Sequence, residues 1–196
     1  MRLKNFLHKL GFNVEMTRDK DEEVPLVERA KMSKKFNADI FISIHANSSG
    51  GSPKPCGIES YYSNNTKVCF DQNPNTWHFG KSDENFDVDA IVDVMNYRKS
   101  YFAYKLAGAI QSELIIATNE KFQLNIVNRG VKQQDFVVLS EATVPASLIE
   151  IGFLTNPTEA RLLASQKYRS LIAYSIAQGV ERYFVENFQG KDAEDK

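Results

Sequence analysis

Hydrophobic residues recur at helical spacing in several parts of the chain. The first such stretch predicts a helix that begins at Met1 and is capped near Gly11. Pro25 opens a second predicted helix, and we expect its apolar side chains to face the core. These side chains are Leu26, Ala30 and Phe36. Further helices are predicted near 89–95, over 101–116 and over 168–184. One more is predicted to start at 156–159, where an N-cap residue, a first-turn proline and a capping-box glutamate follow one another.

Short runs rich in β-branched residues lie between these helices. The run 40–45 is almost continuously apolar, which is typical of a strand covered on both faces. Four further strands are predicted at 14–16, 58–62, 136–139 and 146–151. Strands that alternate with helices predict an α/β fold, in which a mostly parallel sheet lies between two helical layers. Ligands of such sheets gather at the carboxyl ends of the strands.

Length, charge and hydrophobicity exclude several classes of protein. The 196 residues suffice for one domain, predicted over 1–188, with an insertion at 63–98 and a disordered polar tail at 189–196. A net charge of -1 lacks the basic excess of nucleic-acid-binding proteins, so no nucleic-acid partner is expected. The apolar runs are too short to span a membrane, and the first residues do not form a signal peptide. Cys56 and Cys69 could pair or stay free.

Two polar residues stand at the ends of predicted buried strands. His45 ends the run 40–45, where it could be a metal ligand, a general base or a structural histidine bonded to the backbone. Glu150 interrupts the apolar run 146–151, and a carboxylate buried there must be paired, ligated or protonated. A structural ion pair with Arg29 or Arg129 would also explain Glu150. We therefore expect both residues at one site, with either a chemical or a structural role.

Six sequence blocks occur in a defined order along the chain. They lie at 17–21, 26–30, 38–47 (ADIFISIHAN), 57–62 (GIESYY), 129–132 (RGVK) and 145–157 (PASLIEIGFLTNP). This succession resembles the catalytic domain of the zinc-dependent N-acetylmuramoyl-L-alanine amidases, the cell-wall hydrolases of bacteria.

The resemblance implies a function and a site. In that family one zinc ion is held by two histidines and a glutamate, and a second glutamate acts as general base. The bond cleaved is the amide between N-acetylmuramic acid and the L-alanine of the peptidoglycan stem peptide. The matching blocks place the later histidine ligand of Zn²⁺ on His45 and the catalytic carboxylate on Glu150. They also imply peptidoglycan as the partner and the cell envelope as the location.

The beginning of the chain departs from the family pattern. The family's first strand and its other two zinc ligands precede the helix that here begins at Met1, so we expect an incomplete zinc site, an exposed sheet edge and reduced stability. The chain is then either a fragment or a variant that has lost metal chemistry. In the second case it is a non-catalytic module that binds peptidoglycan or a protein partner.

Few other residues of the chain are expected to replace the two missing zinc ligands. His8 is expected to face solvent, and His78 is expected to pack beside its aromatic neighbours. Some members of the family carry an inserted helix that occludes the zinc. Acidic residues of the predicted insertion could act in the same way here, or simply form a solvated loop. These residues are Glu84, Asp87, Asp89 and Asp93.

Overall fold

The computed structural model describes residues 1–65 and 88–188, which form alternating helices and strands. The helices are α1 (Arg2–Lys9), α2 (Leu26–Lys35), α3 (Val88–Ile115), α4 (Val137–Ser140), α5 (Pro157–Ala164) and α6 (Gln166–Phe188), with a π-helical turn at Ile116–Lys121. The strands are β1 (Phe41–Asn47), β2 (Ile58–Tyr62), β3 (Asn128–Gln133) and β4 (Ala146–Phe153).

The described strands form one mixed sheet in the order β1-β4-β2-β3. The pairs β1–β4 and β2–β3 are parallel, whereas β2 and β4 are antiparallel. The expected α/β fold with a mainly parallel sheet is therefore confirmed, with one antiparallel pair that the sequence pattern did not predict. Within the described ranges β1 ends the sheet, and its outer edge is unpaired, as the resemblance implied.

Helices cover both faces of the sheet. On one face Ile58 and Ile149 join the larger apolar cluster with side chains of α1, α3 and α6. On the other face Leu148 and Ala146 pack with Ala30 of α2 and with the α4 region. Side chains alternate between the two faces along a strand, so neighbouring residues of β4 enter different clusters. The predicted three-layer arrangement is confirmed.

Two predicted strands are wrong. Residues 137–140 form the short helix α4, which buries Val138 and Leu139 beside Ala142. Four consecutive apolar residues are compatible with a buried helical turn as well as with a strand. The run is too short for its hydrophobic periodicity to distinguish the two. Residues 14–16 form no strand, and none of the described strands pairs with them.

Other boundaries and orientations also differ from the sequence predictions. The helices predicted near 89–95 and over 101–116 are one continuous helix, α3. The polar strand β3 was not predicted, since a strand at the sheet edge carries little apolar signal. Of the α2 side chains expected in the core, only Ala30 is buried, whereas Leu26 and Phe36 are exposed.

Some predictions fall outside the described part of the chain. Residues 66–87 of the predicted insertion and the predicted tail at 189–196 lie outside it, as does Cys69. Cys56 is a free cysteine. No helix among the described residues is long and apolar enough to cross a bilayer. The domain boundaries themselves stay predictions.

Candidate active site

Three titratable side chains lie in one row across the sheet. His45 of β1 is the register partner of Glu150 of β4, and Glu150 is in turn the partner of Glu59 of β2. Residues that are directly opposite on neighbouring strands project from the same face of a sheet. The structure therefore brings His45 and Glu150 together, as expected, and adds Glu59 to them.

Glu150 is a half-buried carboxyl group that forms no ion pair with any of the described residues. Burial, followed by the negative charge of Glu59, raises its pKa to about 7. Its Oε2 atom is buried and has no hydrogen-bond partner within residues 1–65 and 88–188. The alternative of a structural ion pair is not realised in the described structure, because Arg129 pairs with Glu59 and Arg29 donates to the backbone oxygen of Val24. A carboxyl in this state can take up or release a proton near neutral pH.

The His45 imidazole is half-buried at the end of β1. Its Nε2 atom lies 2.8 Å from the hydroxyl oxygen of Ser43, two residues earlier on the same face. Burial, with the nearby charge of Arg29, lowers the pKa of His45 below its ordinary value. The ring is therefore neutral at pH 7, which is the form that can bind a metal ion or accept a proton.

Glu59, unlike Glu150, has cationic hydrogen-bond donors among the described residues. Its Oε2 accepts a hydrogen bond of 2.7 Å from Arg129 Nε and a short one from Lys132 Nζ, while Asn47 Nδ2 donates to its Oε1 at 2.8 Å. Burial alone would raise the pKa of Glu59, but hydrogen bonds from Lys132, Arg129 and Tyr61 outweigh it and lower that pKa. Glu59 is therefore ionised and places a fixed negative charge beside Glu150. The signal that could have identified it is a single charge inside the strand GIESYY.

A buried carboxylate on α5 holds the backbone next to this row. Glu159 accepts hydrogen bonds of 2.7 Å from the backbone N–H groups of Gly57 and Phe153, so it joins the start of β2 to the end of β4. Gly152 has a φ of +134°, and a Cβ atom there would lie 3.3 Å from Glu159 Oε2. The capping-box pattern thus misassigned the Glu159 side chain, although Asn156 does cap α5.

The loop after β1 is bonded to the turn after β4. Ser49 Oγ lies 2.9 Å from Thr155 Oγ1, and Asn156 Nδ2 donates to the backbone oxygen of Pro53 at 3.0 Å. The backbone N–H of Leu154 also donates to Asn47 at 2.8 Å. The segments that follow His45 and Glu150 therefore form one connected rim.

Comparison with known proteins places this arrangement in a family. Residues 1–182 match the family described as N-acetylmuramoyl-L-alanine amidase. The chain belongs to this amidase family. AmiC of Neisseria meningitidis is 34% identical over 191 residues, which cover 92% of this chain and 44% of that protein. AmiA of Escherichia coli is 29% identical, covering 93% of this chain and 64% of AmiA. The amidase chain thus spans about half to two thirds of the length of these relatives.

Solved amidase structures share the fold. AmiC2 of Nostoc punctiforme superposes with a TM-score of 0.70 at 26% identity, covering 93% of this chain and 78% of that one. An N-acetylmuramoyl-L-alanine amidase from Clostridium difficile gives a TM-score of 0.65 at 26% identity, covering 95% of this chain and 82% of the other. These similarities support the resemblance drawn from the sequence blocks.

The described residues of the amidase chain do not fit a zinc centre of the implied type. A catalytic zinc takes three protein ligands, and the described ranges contain no group of three His, Cys, Asp or Glu side chains that could hold a metal ion. His8 is exposed, as predicted, and Asp93 is also exposed. His78, Glu84 and Asp87 lie outside the described residues, as does the side chain of Asp89.

Proposed function

We propose that this chain is the hydrolytic domain of a peptidoglycan amidase that cleaves the bond between N-acetylmuramic acid and L-alanine. The observation that carries the proposal is Glu150, which is the register partner of His45 in a chain of the amidase family and whose buried Oε2 finds no hydrogen-bond partner in the described part of the chain. A carboxyl group whose pKa is about 7 exists in both protonation states at neutral pH. General acid and base chemistry both need such a group.

In the proposed reaction Glu150 moves one proton twice. Its carboxylate takes a proton from the water that adds to the amide carbonyl carbon. The protonated carboxyl then gives that proton to the departing nitrogen of L-alanine as the C–N bond breaks. The products are a muramyl carboxylate and a free peptide amine. The ionised Glu59 assists because its charge favours the protonated form of Glu150.

The role of zinc is a separate proposal with its own measurement. We assign His45 as the one imidazole ligand of zinc among the described residues, so the chain should hold the ion weakly. Elemental analysis of the purified full chain should give well under one zinc per molecule, and His45→Ala should remove what remains. One tightly held zinc per chain would contradict this assignment and bring further ligands from residues 66–87 or 189–196.

The catalytic proposal is tested with the purified chain and a soluble muramyl peptide. The release of the L-alanine amino group is followed by amine derivatisation. Glu150→Gln should lower the rate by about 100-fold or more, the usual contribution of a positioned acid–base group. Glu181→Gln, a matched change on α6, should leave it within twofold. Full activity in Glu150→Gln would refute the proposed role.

A non-catalytic peptidoglycan-binding module is the second candidate. The incomplete metal ligation in the described residues favours it. Sedimentation with purified sacculi separates the two functions. Binding without amine release would support the module, whereas amine release that depends on Glu150 would support the hydrolase.

We infer that either function is exercised outside the cytoplasm, where peptidoglycan lies. The relative named probable cell wall amidase LytH of Staphylococcus epidermidis, 28% identical over 182 residues, supports this location. Fractionation of cells that produce the full-length protein should recover it in the envelope fraction, and exclusive recovery in the cytoplasm would contradict the inference.

A further inference from the structure

We propose that a cavity beside helix α3, called the tyrosine cavity below, binds a neutral oligosaccharide. Four tyrosine side chains from strand β2 and helix α3 line it, those of Tyr62, Tyr97, Tyr101 and Tyr104. The class of ligand follows from the chemistry of this lining. Its source, the glycan strand of peptidoglycan, rests on the function proposed above.

Helix α3 carries tyrosines on a face that does not enter the core. Tyr97, Tyr101 and Tyr104 follow at intervals of four and three residues, so they lie along one face of the helix. Tyr97 is 72% exposed, and the other two are about half exposed. The buried residues of this part of α3 lie on another face, and they are Ala103, Leu106, Ala107 and Ile110. Aromatic surface that is left in water in this way is recovered when a ligand covers it.

The rings of the tyrosine cavity are held in place by other rings. Tyr62 packs against Tyr104 in an edge-to-face contact, with the ring centroids 5.4 Å apart. Tyr101 packs in the same way against Phe102, also at 5.4 Å. A tyrosine side chain has only two torsions to order when a ligand binds, so its contact area is gained at a low cost in entropy.

Amide and hydroxyl groups form the rest of the lining, from Asn64, Asn96 and Ser100. Ser100 Oγ donates a hydrogen bond of 2.6 Å to Asn64 Oδ1, which orients the amide. Its Nδ2 group has no acceptor among the described residues, so it can donate to a ligand oxygen. No charged side chain of residues 1–65 or 88–188 lines the tyrosine cavity.

This combination of groups matches the surface of a sugar. A pyranose ring has an apolar C–H face, which an aromatic ring can cover, and a rim of hydroxyl groups, which amides and phenols can bind. The ionised groups of a stem peptide would find no counterion in the lining. The tyrosine cavity measures about 390 Å³, within the range of roughly 300–1,000 Å³ for small-molecule sites.

The tyrosine cavity is separate from the row of His45, Glu150 and Glu59. Tyr62 comes three residues after Glu59 on β2, so the two side chains project from opposite faces of the sheet. Three residues also place Tyr62 about 10 Å further along the strand. A sugar bound there would leave the candidate active site open. A polymer held at both places would be retained longer than one held at either alone.

The test uses the purified full chain and tetra-N-acetylchitotetraose, a neutral oligosaccharide that contains no lactyl amide. Isothermal titration calorimetry should show saturable binding, and the absence of binding would overturn the proposal. Since the probe lacks the bond that the proposed hydrolase cleaves, its binding and the amine release that depends on Glu150 can fail separately. Glu150→Gln should bind the probe as tightly as the original chain. Loss of binding in that variant would place the probe in the candidate active site and overturn the assignment.

A matched pair of tyrosines locates the binding. Tyr101 of α3 and Tyr174 of α6 have similar exposure, and each packs edge-on against one phenylalanine ring. Tyr101→Ala should weaken binding of the probe about tenfold or more, whereas Tyr174→Ala should leave it within about twofold. Equal effects of the two variants would contradict the assignment. Circular dichroism checks that both variants fold.

Tyr97 separates the contribution of the ring from that of the hydroxyl group. Tyr97→Ala should weaken binding about tenfold, and Tyr97→Phe, which keeps the ring, should stay within about threefold of the original chain. Equal losses in the two variants would overturn the stacking of a sugar on this ring. Tyr97 is the most exposed of the four tyrosines on α3 and β2, so this pair is informative even if Tyr101→Ala fails to fold.

Recognition of a charged part of the polymer is the remaining alternative. Raising the salt concentration from about 0.05 to 0.5 M should change the affinity for the probe less than twofold, because neither the probe nor the described lining is charged. A free stem tetrapeptide, which carries carboxylates, should not displace the probe. Displacement by the tetrapeptide, or a large loss of affinity in salt, would overturn the proposal.

Discussion

Glu59 and Glu150 face each other on antiparallel strands, and among the described residues two cations bind Glu59 whereas none binds Glu150. Arg129 and Lys132 both reach Glu59 from β3. Their contacts keep the Glu59 carboxylate ionised, and the charge of Glu59 disfavours ionisation of Glu150. Two acids of the same type are thus given different protonation behaviour by their surroundings.

Glu150 should make the stability of the chain depend on pH. Its pKa is raised from 4.5 to about 7 in the fold, so the native state binds more protons than the unfolded state between these pH values. Stability therefore falls as pH rises from about 4.5 to 7 because of this group. Since the carboxyl is partly solvated, we expect a penalty of about 1–2 kcal/mol at pH 8.

Glu150→Gln should remove this penalty. Urea unfolding should show the variant to be more stable than the original chain at pH 8, with the difference shrinking toward pH 5. Glu181→Gln provides the comparison and should show no such trend. A difference between Glu150→Gln and the original chain that does not vary with pH would contradict the raised pKa.

Removal of a cation from Glu59 should destabilise the fold. Glu59 is buried, so Arg129→Ala leaves its charge with fewer partners and should cost about 2–3 kcal/mol, because Lys132 remains and Arg129 is itself partly exposed. In a Glu59→Gln background the same change should cost less than half as much. Urea denaturation of the four chains measures this coupling, and additive effects would refute it.

Two helical glycines should respond in opposite ways to alanine. A Cβ atom at Gly179 of α6 would lie 2.5 Å from Ile110 Cα of α3, so Gly179→Ala should separate the helices and cost about 2–3 kcal/mol. A Cβ atom at Gly108 of α3 meets nothing within 4 Å. Gly108→Ala should therefore stabilise the fold by about 0.5–1 kcal/mol through helix propensity. Thermal unfolding of both variants tests the contrast, and loss of stability in both would contradict it.

Glu159 should matter to stability through two backbone donors. Glu159→Ala leaves the N–H groups of Gly57 and Phe153 without their acceptor and should cost about 2–4 kcal/mol. Thr158→Ala, at an exposed position in the same turn, should cost under about 0.5 kcal/mol. Chemical denaturation distinguishes the two. Equal costs would mean that Glu159 acts only through helix α5.

The sequence was sufficient to predict strands β1, β2 and β4 and to bring His45 and Glu150 to one site. In a layered α/β fold a long apolar run is typical of a strand covered on both faces. The carboxyl ends of parallel strands meet at one rim of the sheet. The strand at 58–62 that contributes Glu59 was predicted, but its antiparallel pairing with β4 was not, because strand direction and order depend on contacts between segments distant in the chain. Strand β3 lies at the edge of the sheet, so its positions can be occupied by polar residues such as Arg129 and Lys132. The same polar residues remove the apolar periodicity by which a strand is predicted.

The other errors have local physical causes. Residues 137–140 are too few for a period to separate helix from strand. Residues 14–16 alternate as a strand does, but the predicted strand is wrong because a strand also needs a paired neighbour, and none pairs with them in the described structure. Glu159 matched a helix-capping pattern, but its carboxylate satisfies backbone groups of two other segments, which is a tertiary contact that sequence spacing does not encode.

The bonded rim after β1 and β4 couples the mobility of the two segments beside the row of acids. Ser49 and Thr155 belong to different segments, but their hydroxyl contact means that neither can swing outward without the other. A bulky polymer that approaches this side of the sheet would meet the loop after β1 and the turn after β4 joined to each other. It would have to bind without separating them.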